Sequence, residues 1–598
     1  MTVENFETHS DQLRRSINGR MRLTAALAQL PFSLRAIFVA AFFVFIGATL
    51  ALAISLSDRF LVEIPRHGGT LVEGIIGRPR FINPVIAKSD ADRDIAGLIY
   101  SGLLRATPEG GITPDLAKDY RVSEDGLTYT FTLRDDLVWH DGEPITSADI
   151  AFTIEKVRDP GLAIKSPRRA SWEGVTIETP DEKTVVFTIK QPYAPFLENA
   201  TMGILPKHIW QNVPNEEFDV TYHNIEPIGS GPYRMGTIVR DDKKGLPSAY
   251  DLVAFKRYAL GEPYITHLRI AFYGNNQELL LAYRNRVVDQ IHTLEPKDAA
   301  LLEKEGSNIV RVPLPRTFAV FFNQNQQPIF ADKAVRTALN LALNKERIVS
   351  DVLGGYAQPI NGPLPFVNLS TSATGTSGTV NMGGDIARAR ETLEAAGWVQ
   401  NAANIYEKTD KKKKQVALLQ FSVAIPDVPE LRAAAELMKE DWENMGAQVT
   451  LKIFESSSFV GEVLSPRKFD ALFYGQITGR VPDPSAYWHS SQRNAPGLNV
   501  ALYANKNVDQ ILEDVRKEND FVERSVLLEK FVSEIGKDSP AVFIYSPDFL
   551  YAVSPKVRGM DTGLITTESE RFLDVPYWYI ESERVWEWFT KPNSVASL

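Results

Sequence analysis

The segment Ser123–Leu133 reads SEDGLTYTFTL. Leu127, Tyr129, Phe131 and Leu133 alternate with Thr128, Thr130 and Thr132, and a period of two marks a strand with one buried face. Asp125-Gly126 ahead of it is turn chemistry. Val185, Phe187 and Ile189 repeat the alternation downstream. Between the two, Thr146-Ser147-Ala148-Asp149 resembles a capping box, predicting a helix that runs to about Val157. Strand, helix and strand in succession point to a mixed α/β body.

The same grammar extends toward the C-terminus. Asp332 is placed to cap a helix through Val335, Leu339 and Leu343 toward Ile348, ended by Gly354-Gly355. Ile386, Ala389, Leu393 and Ala396 have helical spacing before Gly397. Leu431–Met445 is a further amphipathic helix closed by Gly446, with a strand through Val449, Leu451 and Ile453 after it. Residues 368–384 are a Ser/Thr/Gly loop, and Lys411–Lys414 reads as a solvated hairpin tip.

Toward the N-terminus, Gly68-Gly69 opens a first strand, Thr70–Gly74, and residues 58–67 read as a short linker. Before them Ala36–Leu56, AIFVAAFFVFIGATLALAISL, carries no charge over 21 residues. A bilayer-spanning helix needs roughly 20 such residues. Arg14, Arg15, Arg20, Arg22 and Arg35 precede it. Basic residues favour the cytoplasmic side, so the expected topology is a single pass with a cytoplasmic tail (residues 1–35) and an extracellular or periplasmic body. The alternative is a signal peptide cleaved after the A-x-A-like Ala51-Leu52-Ala53.

Composition excludes several chemistries. The 598 residues contain no cysteine, which removes disulfides, thiolate metal sites, a cysteine nucleophile and a lipidated cysteine. The net charge of −10 argues against nucleic acid as a partner. Eight histidines are scattered with no metal-ligand spacing. His140-Asp141-Gly142 reads as a turn rather than a metal pair. No G-x-S-x-G, Walker A or G-x-G-x-x-G is present. Nothing calls for catalytic residues, a metal or a cofactor, and the expectation is a protein that is not an enzyme.

A series of turn and cap motifs carries a resemblance. Ile99-Tyr100-Ser101-Gly102-Leu103-Leu104 comes first, then Pro114-Asp115-Leu116-Ala117, Ser123–Phe131, Leu133-Arg134, Trp139-His140-Asp141-Gly142 and Thr146–Asp149. Gly229-Ser230-Gly231-Pro232-Tyr233 resembles a G-T-G-P-Y turn. Arg284–Gln290 resembles a G-x-x-D strand end with Arg286 in place of the glycine. Phe322-Asn323, Val335–Leu339, Asp385–Trp398, Phe469-Asp470 and Pro482-Asp483-Pro484 follow in order. Together they resemble the extracellular solute-binding proteins of family 5, the oligopeptide- and dipeptide-binding components of ABC importers, over roughly residues 68–580.

The resemblance implies a two-lobed, periplasmic-binding-protein-like (type II) α/β fold with an extra inserted domain, preceded here by the N-terminal helix at 36–57. The first lobe is expected at about 68–82, 200–312 and 541–598, the inserted domain at about 83–199 and the second lobe at about 313–540. A peptide, or another small solute such as a metal chelate or sugar, would be held between the lobes and passed to ABC permease subunits. An anchored cell-surface hydrolase is the alternative from another class. The implied ligand contacts are Tyr100, Asn323, Tyr474, Gly475, Gln476, Arg480, Asp483, Tyr487 and Trp488. Family members often place an aspartate for the peptide amino group shortly before the proline matched by Pro484. Here Arg480 or Gly479 occupies that position, leaving either Asp483 to take the role or Arg480 to face a ligand carboxylate.

Overall fold

The structure, a computed structural model, describes residues 31–241, 245–365, 384–410, 415–586 and 588. The arginines before Arg35, nearly all of the Ser/Thr/Gly loop and the run Lys411–Lys414 lie outside them. The chain divides into two units, one of residues up to Arg66 together with those from Glu581 onward, the other His67–Ile580.

In the first unit one helix, Phe32–Phe60, contains the apolar run. Its stretch Phe32–Leu52 is long and apolar enough to cross a membrane and is buried against nothing. The residues expected as a linker form a strand, Leu61–Arg66, paired antiparallel with Glu581–Trp586 from the C-terminal end. The β-branched Val62 and Ile64 suit a strand, but its partner lies more than 500 residues away, beyond the reach of local pattern. Trp588 stacks on Phe60 at 6.0 Å and on Trp586 at 5.4 Å.

The second unit is organised by a sheet of twelve strands among the described residues. Ala541–Val553 runs through its middle. Its first half pairs with Arg316–Phe322, as Val542 opposite Val320, and its second half with Asn308–Pro313, as Leu550 opposite Arg311. On one side of it the order is Arg316–Phe322, Ala471–Ile477, Gln420–Pro426, Gln448–Phe454. On the other it is Gln290–Ile291, Thr70–Ile76, His267–Tyr273, Pro247–Ala254, Tyr233–Arg240. The two halves serve different cores, giving the two lobes.

Side-chain parity explains how the second lobe is filled. In Arg316–Phe322 the even positions Val320 and Phe322 enter one core with Trp442 and Met438, while Ala319 and Phe321 enter another with Trp488 and Phe531. A strand buried on both faces reads as a continuous apolar run, here FAVFF. The opposite case is Thr128–Leu133, where Tyr129, Phe131 and Leu133 are buried and the threonines more open. It belongs to a separate four-stranded sheet whose inner face carries the cluster Phe131, Phe187, Trp172 and Phe196.

The expected caps form. Ser147–Arg158 opens with a Thr146/Asp149 capping box, and Pro429–Met445 closes on Gly446 in the left-handed region. The helix expected from Asp332 to Ile348 is two helices, Lys333–Ala342 and Lys345–Asp351. The break is chemical: the Asn344 side chain accepts from the Arg347 amide at 2.9 Å and starts a new helix. Arg286, standing where the family has glycine, adopts a positive φ of 58°. A non-glycine residue pays about 1–2 kcal/mol there.

Candidate functional site

The Trp139–Glu143 turn holds the G-S-G-P turn, whose Pro232 lines the site. The Gly142 amide bonds to Trp139 O and the Trp139 amide to Glu143 O. His140 accepts from the Gly229 amide at Nδ1 (3.2 Å), so its proton sits on Nε2 and donates to Gly231 O (3.1 Å). Burial pushes the His140 pKa down to about 4, keeping the ring neutral. The G-S-G-P turn is thereby tied to the Trp139–Glu143 turn. A Cβ at Gly229 would lie 2.0 Å from Ile99 O, so only glycine permits this approach.

Ile99 ends the helix Asp90–Ile99, which delivers Tyr100 and Ser101 to a cavity of about 550 Å³. Its other walls come from Leu104–Ala106, Asp115, Arg168, Glu198, Tyr258 and the Thr566–Leu573 stretch. Ile477, Gly479 and Arg480, from the loop after the second-lobe strand Ala471–Ile477, close it from the far side.

Arg480 is the closing contact. Its Nη1 donates to Thr107 O (2.8 Å), and its Nη2 to Leu564 O (2.8 Å) and Glu570 Oε2 (2.8 Å). All three acceptors sit in segments packed on the first-lobe core. The side chain is 1% exposed. Glu570 is held ready by the Thr566 amide and hydroxyl, each at 2.7 Å. Glu198 accepts from the backbone of Arg480 and Val481, and burial nevertheless raises its pKa. The second-lobe loop is therefore bound by charge-assisted hydrogen bonds from two directions.

The cavity mixes charges. Arg93, Arg105, Arg168 and Arg480 face Asp115, Glu198 and Glu570. Arg93 pairs with Asp90, and Arg105 with Asp574 at 3.5 Å. Arg168 makes no ion pair among the described residues. The protein around it lowers its pKa, against Glu198 and Glu570, which raise it. No cluster of His, Asp and Glu suited to a metal ion occurs among the described residues.

Of the residues singled out in the sequence, Tyr100 and Arg480 line this cavity together. The others serve the second lobe. Asn323 Nδ2 donates to Arg467 O at 3.0 Å, and its Oδ1 accepts from the Asn325 and Gln326 amides. Asp483 is held by Arg516, at 2.8 Å from Nη2, and accepts from the Ser485 amide. Trp488 is 1% exposed among Phe321, Tyr503 and Phe543. Tyr474 stacks on Phe459, and a Cβ at Gly475 would meet the Phe318 ring at 2.9 Å, so its missing side chain admits a phenylalanine. Gln476 is buried, and the Tyr487 hydroxyl bonds the backbone of Ile477. Sequence reasoning passed over Asp115, Arg168, Glu198 and Glu570. Asp115 stood inside a quoted motif; the other three sit in stretches with no pattern of their own.

The chain's relatives agree with this architecture. Residues 111–498 match the model of the bacterial extracellular solute-binding proteins, family 5. The oligopeptide-binding protein AppA of Bacillus subtilis (strain 168) is 27% identical over 502 residues, covering 83% of this chain and 89% of its own. The structure of AppA in complex with a nonapeptide superposes with a TM-score of 0.65 at 26% identity, over 87% of this chain and all (100%) of that one. The ABC transporter substrate-binding protein CtaP from Listeria monocytogenes gives 0.71 at 26% identity, over 86% and 100%. With a family match spanning more than half its length, this chain belongs to the family 5 bacterial extracellular solute-binding proteins.

Proposed function

We propose that this protein captures peptides between its lobes and delivers them to the permease of an ABC importer, working from the membrane surface on its own N-terminal helix. The observation that carries the reading is the cavity closed by Arg480. A second-lobe loop reaches across it and is bound by acceptors on the other side, Thr107, Leu564 and Glu570, as expected of a receptor that shuts over its ligand. AppA, bound to a nonapeptide in its own structure, supports a peptide as the cargo. In this reading the first lobe comprises about 68–82, 200–312 and 541–598, the inserted domain about 83–199 and the second lobe about 313–540. Family 5 proteins bind solutes, and we infer that this one does no chemistry on its ligand.

The anchoring part rests on the uncharged Ala36–Leu56 run and the arginines before it, with the N-terminus inside and the body outside. The test uses the full chain in detergent micelles. A ligand that binds only the folded state stabilises it by about 2.7 kcal/mol at a hundredfold excess over Kd. Peptide mixtures are therefore expected to raise Tm, and small-angle scattering to show a more compact body. Protease added to intact spheroplasts is expected to remove the body and leave the tail. A Tm indifferent to peptides but raised by metal chelates or sugars would replace the cargo. A soluble body beginning near Ile54 would replace the anchor with a signal peptide.

A further inference from the structure

The chain holds nine tryptophans. The seven from Trp139 to Trp578 lie within His67–Ile580 and are at most 2% exposed. The other two, Trp586 and Trp588, belong to the unit that contains the apolar helix. Trp588 is 71% exposed. An indole left in water forgoes the burial that makes aromatic side chains such large apolar contributors.

The two rings stand at a particular place. Trp588 lies 5.4 Å from Trp586 with the planes 9° apart, and 6.0 Å from Phe60 with the planes 12° apart, so the three rings form one column. Phe60 is itself 43% exposed and is the last residue of the helix Phe32–Phe60. The uncharged run ends four residues earlier, at Leu56. A helix rises about 1.5 Å per residue, which sets Phe60 about 6 Å past the apolar span. The headgroup layer flanking the hydrocarbon core is about 5–8 Å thick on each side. With the helix across a bilayer, the column stands at headgroup depth.

The ribbon that carries the tryptophans has a matching gradient. Leu61–Arg66 and Glu581–Trp586 pair only with each other among the described residues. Two strands alone are marginal in water without an apolar surface to lean on. The pairs nearest the helix are Leu61 with Trp586 and Val62 with Val585, all apolar. The four pairs beyond them hold Glu63, Arg66, Glu581, Glu583 and Arg584. Apolar and aromatic groups adjoin the helix end and charges follow, the order met on leaving a bilayer for water.

We propose that Phe60, Trp586 and Trp588 form a second membrane contact, an aromatic collar seated in the headgroup layer of the outer leaflet. Its partner is the phospholipid interface, where a ring with an apolar body and an indole N–H is suited on both counts. The C-terminal strand is thereby held at the membrane surface beside the helix exit. The body is then tied to the membrane through two strands instead of one tether. This deepens the anchoring part of the proposed function and rests on it.

The test places the full chain in phosphatidylcholine vesicles and reads tryptophan emission. Lipids carrying a nitroxide on the choline headgroup, or near the acyl-chain terminus, report depth by quenching. The headgroup label is expected to quench the wild type more than the deep label. The double variant Trp586→Tyr, Trp588→Tyr is expected to lose most of that quenching, because the seven remaining tryptophans are enclosed by protein. Their unchanged emission shows that the body is folded. Since the chain has no cysteine, a polarity-sensitive dye on Trp588→Cys gives a second readout. It is expected to emit further to the blue than the same dye on Glu581→Cys, at the far end of the ribbon, and it decides the matter if the double variant does not fold. Flotation with the vesicles tests the anchor separately. A protein that floats but is quenched no better by the headgroup label, or whose quenching survives in the double variant, overturns the collar and leaves the rings to a protein partner. Equal emission from the two dyes overturns it as well. A protein that does not float overturns anchor and collar together.

Discussion

Glu570 and Arg571 are neighbours in one turn of 3-10 helix, Glu568–Phe572, and they face opposite ways. Arg571 points inward. Its Nε donates to Glu73 at 3.0 Å, and its Nη1 and Nη2 grip both oxygens of Asp94 at 2.9 and 2.7 Å. His292 sits 3.4 Å from Asp94 and 3.3 Å from Glu568, and the Tyr551 hydroxyl donates to Glu73 at 2.7 Å. Glu570 points outward and takes Arg480 from the other lobe. The ingredients are the same, an arginine fork and buried carboxylates. The inner group ties Glu73, Asp94, His292 and Tyr551 together on one side of the cavity. The outer one joins two lobes and opens whenever they part. One short turn thus supplies both the rigidity of a lobe and the contact by which the lobes meet.

The comparison breaks first at Arg571. Removing one partner of a buried ion network leaves uncompensated charge and typically costs about 3–5 kcal/mol. Arg571→Met strands Asp94, whose pKa the guanidinium, with His292, holds well below the carboxylate range against the pull of burial. Denaturant unfolding is expected to show that loss with and without ligand alike. A loss seen only with ligand would put Arg571 in the closing machinery and erase the distinction.

Arg480→Ala is expected to do the reverse. In the closure we propose, the ligand-free protein parts at this contact, so stability without ligand should move by less than about 1 kcal/mol, as for exposed pairs. Peptide affinity should fall by about 2–3 kcal/mol, the lower part of the range for unpairing a buried interfacial charge. Glu570→Gln should act through the same bond, so the double variant should be less than additive. Additive losses, or a large drop in unliganded stability, would mean the lobes do not separate at this contact.

How much of this was legible in the sequence follows the range of each interaction. Parity in LTYTFTL, the Thr146/Asp149 box and Gly446 are local, and the elements stand where the residues put them. The two-helix break at Asn344 was missed because apolar spacing continues through Leu343 to Ile348, and a cap inside a periodic run carries no other mark. The strand Leu61–Arg66 was missed because its partner is at the other end of the chain. The cavity shows the same division. Tyr100 stands inside a recognisable motif, and Arg480 is reached by counting back from Pro484. Glu570 is identifiable only through the arginine it meets, 90 residues away in sequence. Asp483, flanked by two prolines, looked available, yet Arg516 had claimed it through a contact no spacing reveals.

A third buried cation sharpens the comparison further, because it has no carboxylate at all. Lys345 is fully buried in the second lobe and donates to Ile360 O at 3.1 Å and Asn361 Oδ1 at 2.7 Å. Neutral oxygens do not offset desolvation as Asp94 does for Arg571, and burial lowers the Lys345 pKa to about 7. The unfolded chain keeps its ordinary value near 10.5 and so binds more protons between pH 7 and 10.5. Stability from this group therefore rises with pH across that window, is complete above it and is lost as pH falls through 7. Lys345→Met removes the titration. Relative to that variant, the wild type is expected to gain about 1–2 kcal/mol in unfolding free energy between pH 7 and 10, once relaxation and water penetration have reduced the full burial penalty. The difference between wild type and Arg571→Met should show no such slope, because a guanidinium stays charged throughout. Parallel pH profiles for wild type and Lys345→Met would mean that Lys345 keeps its proton in the folded state, and that two neutral oxygens can serve a buried cation as well as a carboxylate does.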